Sequence, residues 1–188
     1  MQLNEITVGA VGTRCYIIRG ENSPECFVID PGDEASRILT QTEGKKISAI
    51  LLTHGHFDHI GAVRELMSQD TRLFIHALDA PMLADPRLNA GMMLLGASVT
   101  APAPTDFVKE GDLLQLAGLE IRVLHTPGHT PGCVCYLTEG HLFTGDTLFE
   151  HGWGRTDLPG GDQHALFASL RRLMPLAQNL AVHPGHHA

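Results

Sequence analysis

At 188 residues and 43% hydrophobic content, the chain lies within the ~100–200 residues usual for one domain and can bury one sizeable core, so a single domain over 1–188 is expected. Its 21 acidic residues outnumber 13 basic ones, and the formal charge of −8 repels phosphate backbones and anionic lipid, which excludes nucleic acid as the expected partner. No basic stretch followed by an apolar core opens the chain, and no apolar run approaches the ~18 residues of a membrane helix, so a cytoplasmic, membrane-free protein is expected.

In chain order, the first third reads as short strands over 3–8, 15–19 and 26–29, the last ended by Asp30-Pro31-Gly32. Ala35, Ile38 and Leu39 sit three to four apart and predict a helix, and 47–52 is an apolar run of the kind found in parallel strands. From Asp58 the pattern becomes a helical stripe of Ile60, Val63, Leu66 and Met67, with Asp58 expected to cap its N-terminus. A further strand and helix fall near 73–83.

The segment 84–108, broken by Pro86, Gly91, Gly96, Pro102 and Pro104, predicts a long surface connection. Within it, Met92, Met93, Leu94 and Leu95 read as one buried helical turn in preference to the wall of a substrate pocket. Strands follow at 113–116, 119–124, 134–137 and 141–144, then a helix at 163–173 and a strand at 180–182. Strand-rich halves with intervening helices imply two sheets packed face to face with helices outside.

The four cysteines, at 15, 26, 133 and 135, have neither zinc-site spacing nor the density of a disulfide scaffold, and read as small buried hydrophobes. The twelve histidines carry more information. Thr53-His54-Gly55-His56-Phe57-Asp58-His59 crowds three imidazoles and a carboxylate directly after a buried strand. His54 and His56, two apart in extended chain, point the same way, whereas Asp58 and His59 turn with the incoming helix toward a second point. One metal cannot easily use all four, so two adjacent sites are expected, with nitrogen and carboxylate ligands suited to zinc, iron or manganese.

His129 in Thr126-Pro127-Gly128-His129, Asp146 in Thr144-Gly145-Asp146 and His186 in Pro184-Gly185-His186 also follow short apolar strands and complete a preorganised rim. His76, His141, His151 and His164 lack that setting and read as surface or packing residues. Asp30 and His125 end strands and are candidates for orienting a ligating imidazole. Since only two residues follow His186, residues 183–188 are expected to depend on metal for their order.

The ordered set T-H-x-H-x-D-H, T-P-G-H-T, G-D-T-L-F and P-G-H, spanning 53 to 186, resembles the metallo-β-lactamase superfamily. Gly145 to Phe149 followed by Gly152-Trp153-Gly154-Arg155-Thr156-Asp157-Leu158-Pro159-Gly160-Gly161 is similar, more narrowly, to small glyoxalase II-like hydrolases. The resemblance implies an αββα sandwich of two mixed sheets. It also implies that His54, His56 and His129 hold a first metal, that Asp58, His59 and His186 hold a second, and that Asp146 bridges them. The partner it implies is a small-molecule thioester such as S-lactoylglutathione, hydrolysed by metal-activated water with Asp58 orienting or deprotonating the nucleophile.

Arg155 occupies the place where such enzymes put a basic residue near the substrate carboxylate. The sequence departs from the family twice. No C-terminal helical domain of the kind that helps glyoxalase II hold glutathione follows His186, and His187 stands where a glycine is usual and competes with His186 as ligand. Two alternatives stay open: a persulfide dioxygenase with one iron on the equivalents of His54, His129 and Asp146, which shares T-P-G-H-T-P-G-C, and a broader ester or lactone hydrolase.

Overall fold

Alternation and burial sort the strands into two mixed sheets, seen in a computed structural model that describes residues 1–187. The first sheet runs in the order β1 (Gln2–Val8), β2 (Thr13–Arg19), β3 (Glu25–Ile29), β4 (Lys46–Leu51), β5 (Arg72–His76) and β6 (Asp106–Val108). Its first three strands are antiparallel and the rest parallel. The second sheet places β13 (Ala181–Pro184) beside β10 (His141–Gly145), then β9 (Val134–Thr138), β8 (Leu119–His125) and β7 (Leu113–Leu116). Only its β10–β13 pair is parallel.

Strand side chains alternate between faces, and both faces of the central strands are apolar, so each sheet buries two surfaces. Tyr16, Phe27, Leu51 and Phe74 of the first sheet meet Ile121, Val123, Tyr136 and Phe143 of the second in the layer between them. The other face of the first sheet, with Ile17, Val28 and Ile50, packs on helix α1 (Ala35–Gln41) and on two helical turns, α2 (Phe57–Ile60) and α3 (Val63–Leu66). The outer face of the second sheet, with Leu124, Cys135 and Leu142, is covered by Leu173 of α5 (Gln163–Ala177). This is the expected αββα sandwich. No helix among the described residues is long and apolar enough to cross a membrane.

Four local expectations are corrected. The stripe after Asp58 is two separate turns rather than one helix, broken at Gly61, where a Cβ would collide with the Gly32 carbonyl. Asp58 lies inside α2 rather than at its cap, because its carboxylate is turned toward the site and accepts from Thr13 Oγ1 at 2.9 Å. The turn α4 (Gly91–Leu94) forms as expected but is not buried: Met92, Met93, Leu94 and Leu95 are each 45–57% exposed. Finally, α5 runs through Pro175 to Ala177, since Leu173 and Ala177 still find apolar partners on the second sheet. The two-residue strands β11 (Leu148–Phe149) and β12 (Gly152–Trp153) form a small hairpin beside the site, too short for alternation to reveal.

All four cysteines are buried free thiols, and burial pushes Cys26 up to about 11 and Cys135 up to about 12. They stay protonated and unreactive, as small buried hydrophobes would.

Candidate metal centre

Five loops build the site, and each leaves the C-terminal end of a strand. Asp30 follows β3, His54 to His59 follow β4, His129 lies between β8 and β9, Asp146 follows β10 and His186 follows β13. The chain's two tyrosines stitch these ends together. Burial pushes both phenols upward, so each keeps its proton and donates: Tyr136 to the Leu52 carbonyl at 2.8 Å, Tyr16 to the Pro184 carbonyl at 2.6 Å.

The seven predicted ligands meet at one point. His54, His56 and His129 form one group whose candidate ligand atoms lie within 4.8 Å of one another, and Asp58, His59 and His186 form a second. Asp146 stands between them: Oδ2 is 3.5 Å from His129 Nε2 and 3.5 Å from His186 Nε2, while Oδ1 is 3.5 Å from His59 Nε2. The two neighbouring histidines at the C-terminus point in different directions. His186 Nε2 faces Asp58 Oδ2 at 3.1 Å, whereas His187 is exposed and turned to Glu5 at 3.8 Å. Gly185 permits this approach, since a Cβ there would strike Asp146 Oδ1 and the His59 ring.

The described part of the tail has anchors that need no metal: Gly185 N donates to Gly145 O at 2.8 Å and Arg14 N to Gly185 O at 2.7 Å. Chelation is therefore expected to free the His186 ring while backbone protection over 183–186 survives. Ala188, included in the expectation of a metal-dependent tail, lies outside the described residues.

Whether these residues fit a cation is tested by their unpaired atoms. His56 Nδ1 faces His129 Nε2 at 2.8 Å, and His54 Nε2 and Asp146 Oδ1 are buried without a hydrogen-bond partner. Each such atom costs ~1–3 kcal/mol if nothing satisfies it, and a cation within reach removes that cost. Burial, with neighbouring imidazoles adding to it, holds His54 and His56 well below the usual histidine range, so both are neutral with a lone pair available. The donor set of imidazoles and carboxylates suits a transition-metal cation.

The second group behaves differently. Burial opposes charge on His59, but Asp58, Asp30 and Asp146 outweigh it and raise the ring to about 10. His186 is also raised: burial opposes this, but its hydrogen bond to Asp58 and the charge of Asp146 prevail. Burial likewise would raise Asp58, yet the His59 charge, His186 and Thr13 bring it well below the carboxylate range. In the metal-free protein, protons therefore hold the second group together. A histidine raised from 6.5 to about 10 contributes stability fully present below pH 6.5 and lost as pH rises through 10. The metal-free protein is expected to lose thermal stability across that window. Occupation of the second group must displace a proton from His59, so its affinity is expected to rise about tenfold per pH unit from 6.5 toward 10, whereas His54 and His56 impose no such dependence. Chelator competition at several pH values checks this; equal slopes for both groups would contradict it.

Neighbouring residues fix the ligand rings. Asp30 is also near enough to His54 and His59 to be grouped with them as a ligand. Its oxygens are engaged, however: Oδ1 accepts from Thr53 N at 2.8 Å, and Oδ2 accepts from Thr53 Oγ1 at 2.6 Å. The same Oδ2 lies 2.9 Å from His59 Nδ1, an ion-pair contact not aligned as a hydrogen bond. Asp30 thus stands directly against the His59 ring. His125, the other residue expected to orient a ligand, does not do so. Its Nε2 contacts the Pro131 carbonyl at 3.0 Å and its ring stacks on His76, so no bond links it to the seven. Arg155 lines the cavity, but its guanidinium is paired in two contacts, 2.6 and 2.8 Å, with Asp157. Its carbonyl faces His129 Nδ1 at 2.7 Å, which leaves Nε2 directed at the centre.

Sequence reasoning missed Asp79 and Thr13. Asp79 is completely buried and joins the two loops that carry the first group. It accepts from Gly55 N at 3.1 Å, Thr130 Oγ1 at 2.6 Å and Gly132 N at 2.7 Å. Burial raises its carboxyl despite these bonds. The signal was present: Asp79 follows β5 as Asp30 follows β3, an acidic residue just past the end of a buried strand.

A cavity of about 520 Å³ opens over His56, Asp58, His129, Asp146 and His186. Its apolar walls include Val11, Leu94, Leu95, Phe149, Trp153 and Leu158. The Met92–Leu95 segment is thus in part a pocket wall, the reading that sequence periodicity had ranked second. A smaller cavity of about 370 Å³ adjoins it, sharing Val11, Phe57, Asp58 and Leu95.

Comparison with known proteins agrees with this architecture. The chain is 34% identical to hydroxyacylglutathione hydrolase GloC of Haemophilus influenzae, over 99% of this chain and 91% of that one. A solved structure, the BLEG-1 B3 metallo-beta-lactamase, superposes with a TM-score of 0.91 at 36% identity, covering 100% of this chain and 92% of that one. TTHA1623 in a di-iron-bound form gives 0.85 at 39% identity, covering 98% and 92%. The family model of the metallo-beta-lactamase superfamily matches residues 8–186, from the last residue of β1 to the final predicted ligand, and the chain belongs to that superfamily.

Proposed function

We propose that this protein is a metal-dependent thioester hydrolase working with two divalent cations, zinc foremost, with iron or manganese as the alternatives. The observation that carries the reading is Asp146, whose two oxygens stand 3.5 Å from ligand nitrogens of both groups and so suit a bridge. The di-iron form of TTHA1623 supports two ions, and the name of GloC supports a thioester. GloC is matched over 91% of its own length, so the activity in its name belongs to a protein of nearly the extent compared.

Bound at these groups, the metals would supply Lewis acidity and bring the pKa of water from 15.7 to ~7. The chain's own residues do the positioning. Asp30 and the Arg155 carbonyl fix the His59 and His129 rings. Thr13 donates to Asp58 Oδ2 at 2.9 Å and holds the carboxylate at the rim, where it orients or deprotonates the nucleophile. A thiolate of pKa ~8.5 leaves without a dedicated acid, unlike an amide nitrogen, and no general acid is needed opposite the ligands.

The test is to titrate metal into metal-free protein while following S-lactoylglutathione hydrolysis and, in parallel, oxygen uptake with glutathione persulfide. Hydrolysis is expected to climb until two equivalents are bound, without oxygen uptake. Saturation at one iron with oxygen consumed would replace this reading with the dioxygenase.

A further inference from the structure

The walls of the site differ in chemistry from its floor. The floor is the ligand cluster; the walls are Val11, Leu94, Leu95, Phe149, Trp153 and Leu158. Val11, Leu94, Leu95 and Trp153 are 47–53% exposed, a concentration of large apolar surface that a protein surface rarely leaves open without a use. These side chains come from separate elements, the β1–β2 turn, α4 with its C-terminal cap, and the β11–β12 hairpin, and line one cavity.

Charge points the same way. Arg155 is the one Lys or Arg among the residues lining either cavity, and Asp157 already pairs with it. The adjoining cavity contributes Asp33 and hydroxyls from Thr13, Ser98 and Thr100, with no cation. A chain of formal charge −8 adds no compensating field. On the walls beyond the ligand floor, a thiol bearing two carboxylates, such as glutathione, finds a single shared guanidinium, whereas an apolar acyl chain finds six apolar side chains in a cavity within the ~300–1,000 Å³ usual for ligands.

We infer that the cavity beside the metal centre selects substrates by an uncharged, apolar acyl chain, longer than lactoyl, laid against Leu94, Leu95 and Trp153. The inference rests on the hydrolase reading for its reaction but not for its binding.

Two measurements keep these separate. The first compares kcat/KM for S-acetyl, S-butyryl and S-hexanoyl thioesters of N-acetylcysteamine, an uncharged thiol, with S-lactoylglutathione on the metal-loaded protein. The expected gain is about fourfold per added methylene. The second uses Trp153, the only tryptophan of the chain, as a fluorescent reporter of hexanoate and lactate binding. Hexanoate is expected to shift its emission saturably at concentrations where lactate does not. Leu94→Asp, at an exposed position where folding is not at stake, is expected to flatten both the rate series and the fluorescence response. A saturable hexanoate response with no thioester hydrolysed would sink the thioester reading and leave the pocket inference standing. Hydrolysis that is flat or falling with chain length, with Trp153 equally indifferent to hexanoate and lactate, would overturn the inference.

Discussion

Asp79→Ala is expected to lower the stability of the metal-free protein by on the order of 3 kcal/mol and to weaken metal binding at the His54, His56 and His129 group by about 10–100-fold. The substitution strands Gly55 N, Gly132 N and Thr130 Oγ1 in a buried setting, and it removes the carboxylate that spans the His54–His56 and His129 loops. These loops leave different sheets, so their spacing is set by cross-links of this kind rather than by a shared strand. Thermal unfolding in chelator reads the stability, and competition with a chromophoric chelator reads the affinity. A variant that unfolds at the wild-type midpoint and holds its first equivalent of metal as tightly would show that Asp79 clamps nothing of consequence.

Asp58→Asn is expected to lower kcat by about 10²–10⁴-fold with metal at saturation, while KM changes little. Asp58 lies at the rim between the cavity and the second group, held by Thr13 at 2.9 Å and facing His186 at 3.1 Å. The amide keeps the shape and the Thr13 bond but removes the charge that aligns the nucleophile. Melting of the metal-loaded variant should shift far less than turnover, because Asp58 packs no apolar layer. Near wild-type hydrolysis by the purified variant would remove the role assigned to this residue.

How much of the fold and the site was legible in the sequence depended on whether the signal was local. His54, His56, His129, Asp146 and His186 each stand just past an apolar strand and beside glycine or proline, and strand ends at one edge of a sandwich have nowhere else to go. The layer order followed from the same strands, because runs buried on both faces demand cover on both. Asp79 and Thr13 could not be read so, since their roles lie in bonds to partners 24–53 and 45 residues away that no period encodes. Asp58 shows two physical preferences in competition: a carboxylate before a helical stripe favours a cap, but Thr13 and two imidazoles outcompete the backbone for its oxygens. Met92 to Leu95 failed for a further reason. An apolar helical turn looks the same in sequence whether it faces a core or the wall of a cavity, and only the third dimension separates the two. His125 ended a strand as Asp30 did, yet its ring was captured by His76 and Pro131.

The central claim is that one carboxylate, Asp146, joins two metal sites built from His54, His56 and His129 on one side and Asp58, His59 and His186 on the other. Anomalous diffraction from crystals of the metal-loaded protein tests it most directly. Two peaks of comparable occupancy, about 3.5–4 Å apart with Asp146 between them, are expected. A single peak bound by His54, His129 and Asp146, with the second group vacant at saturating metal, would contradict it.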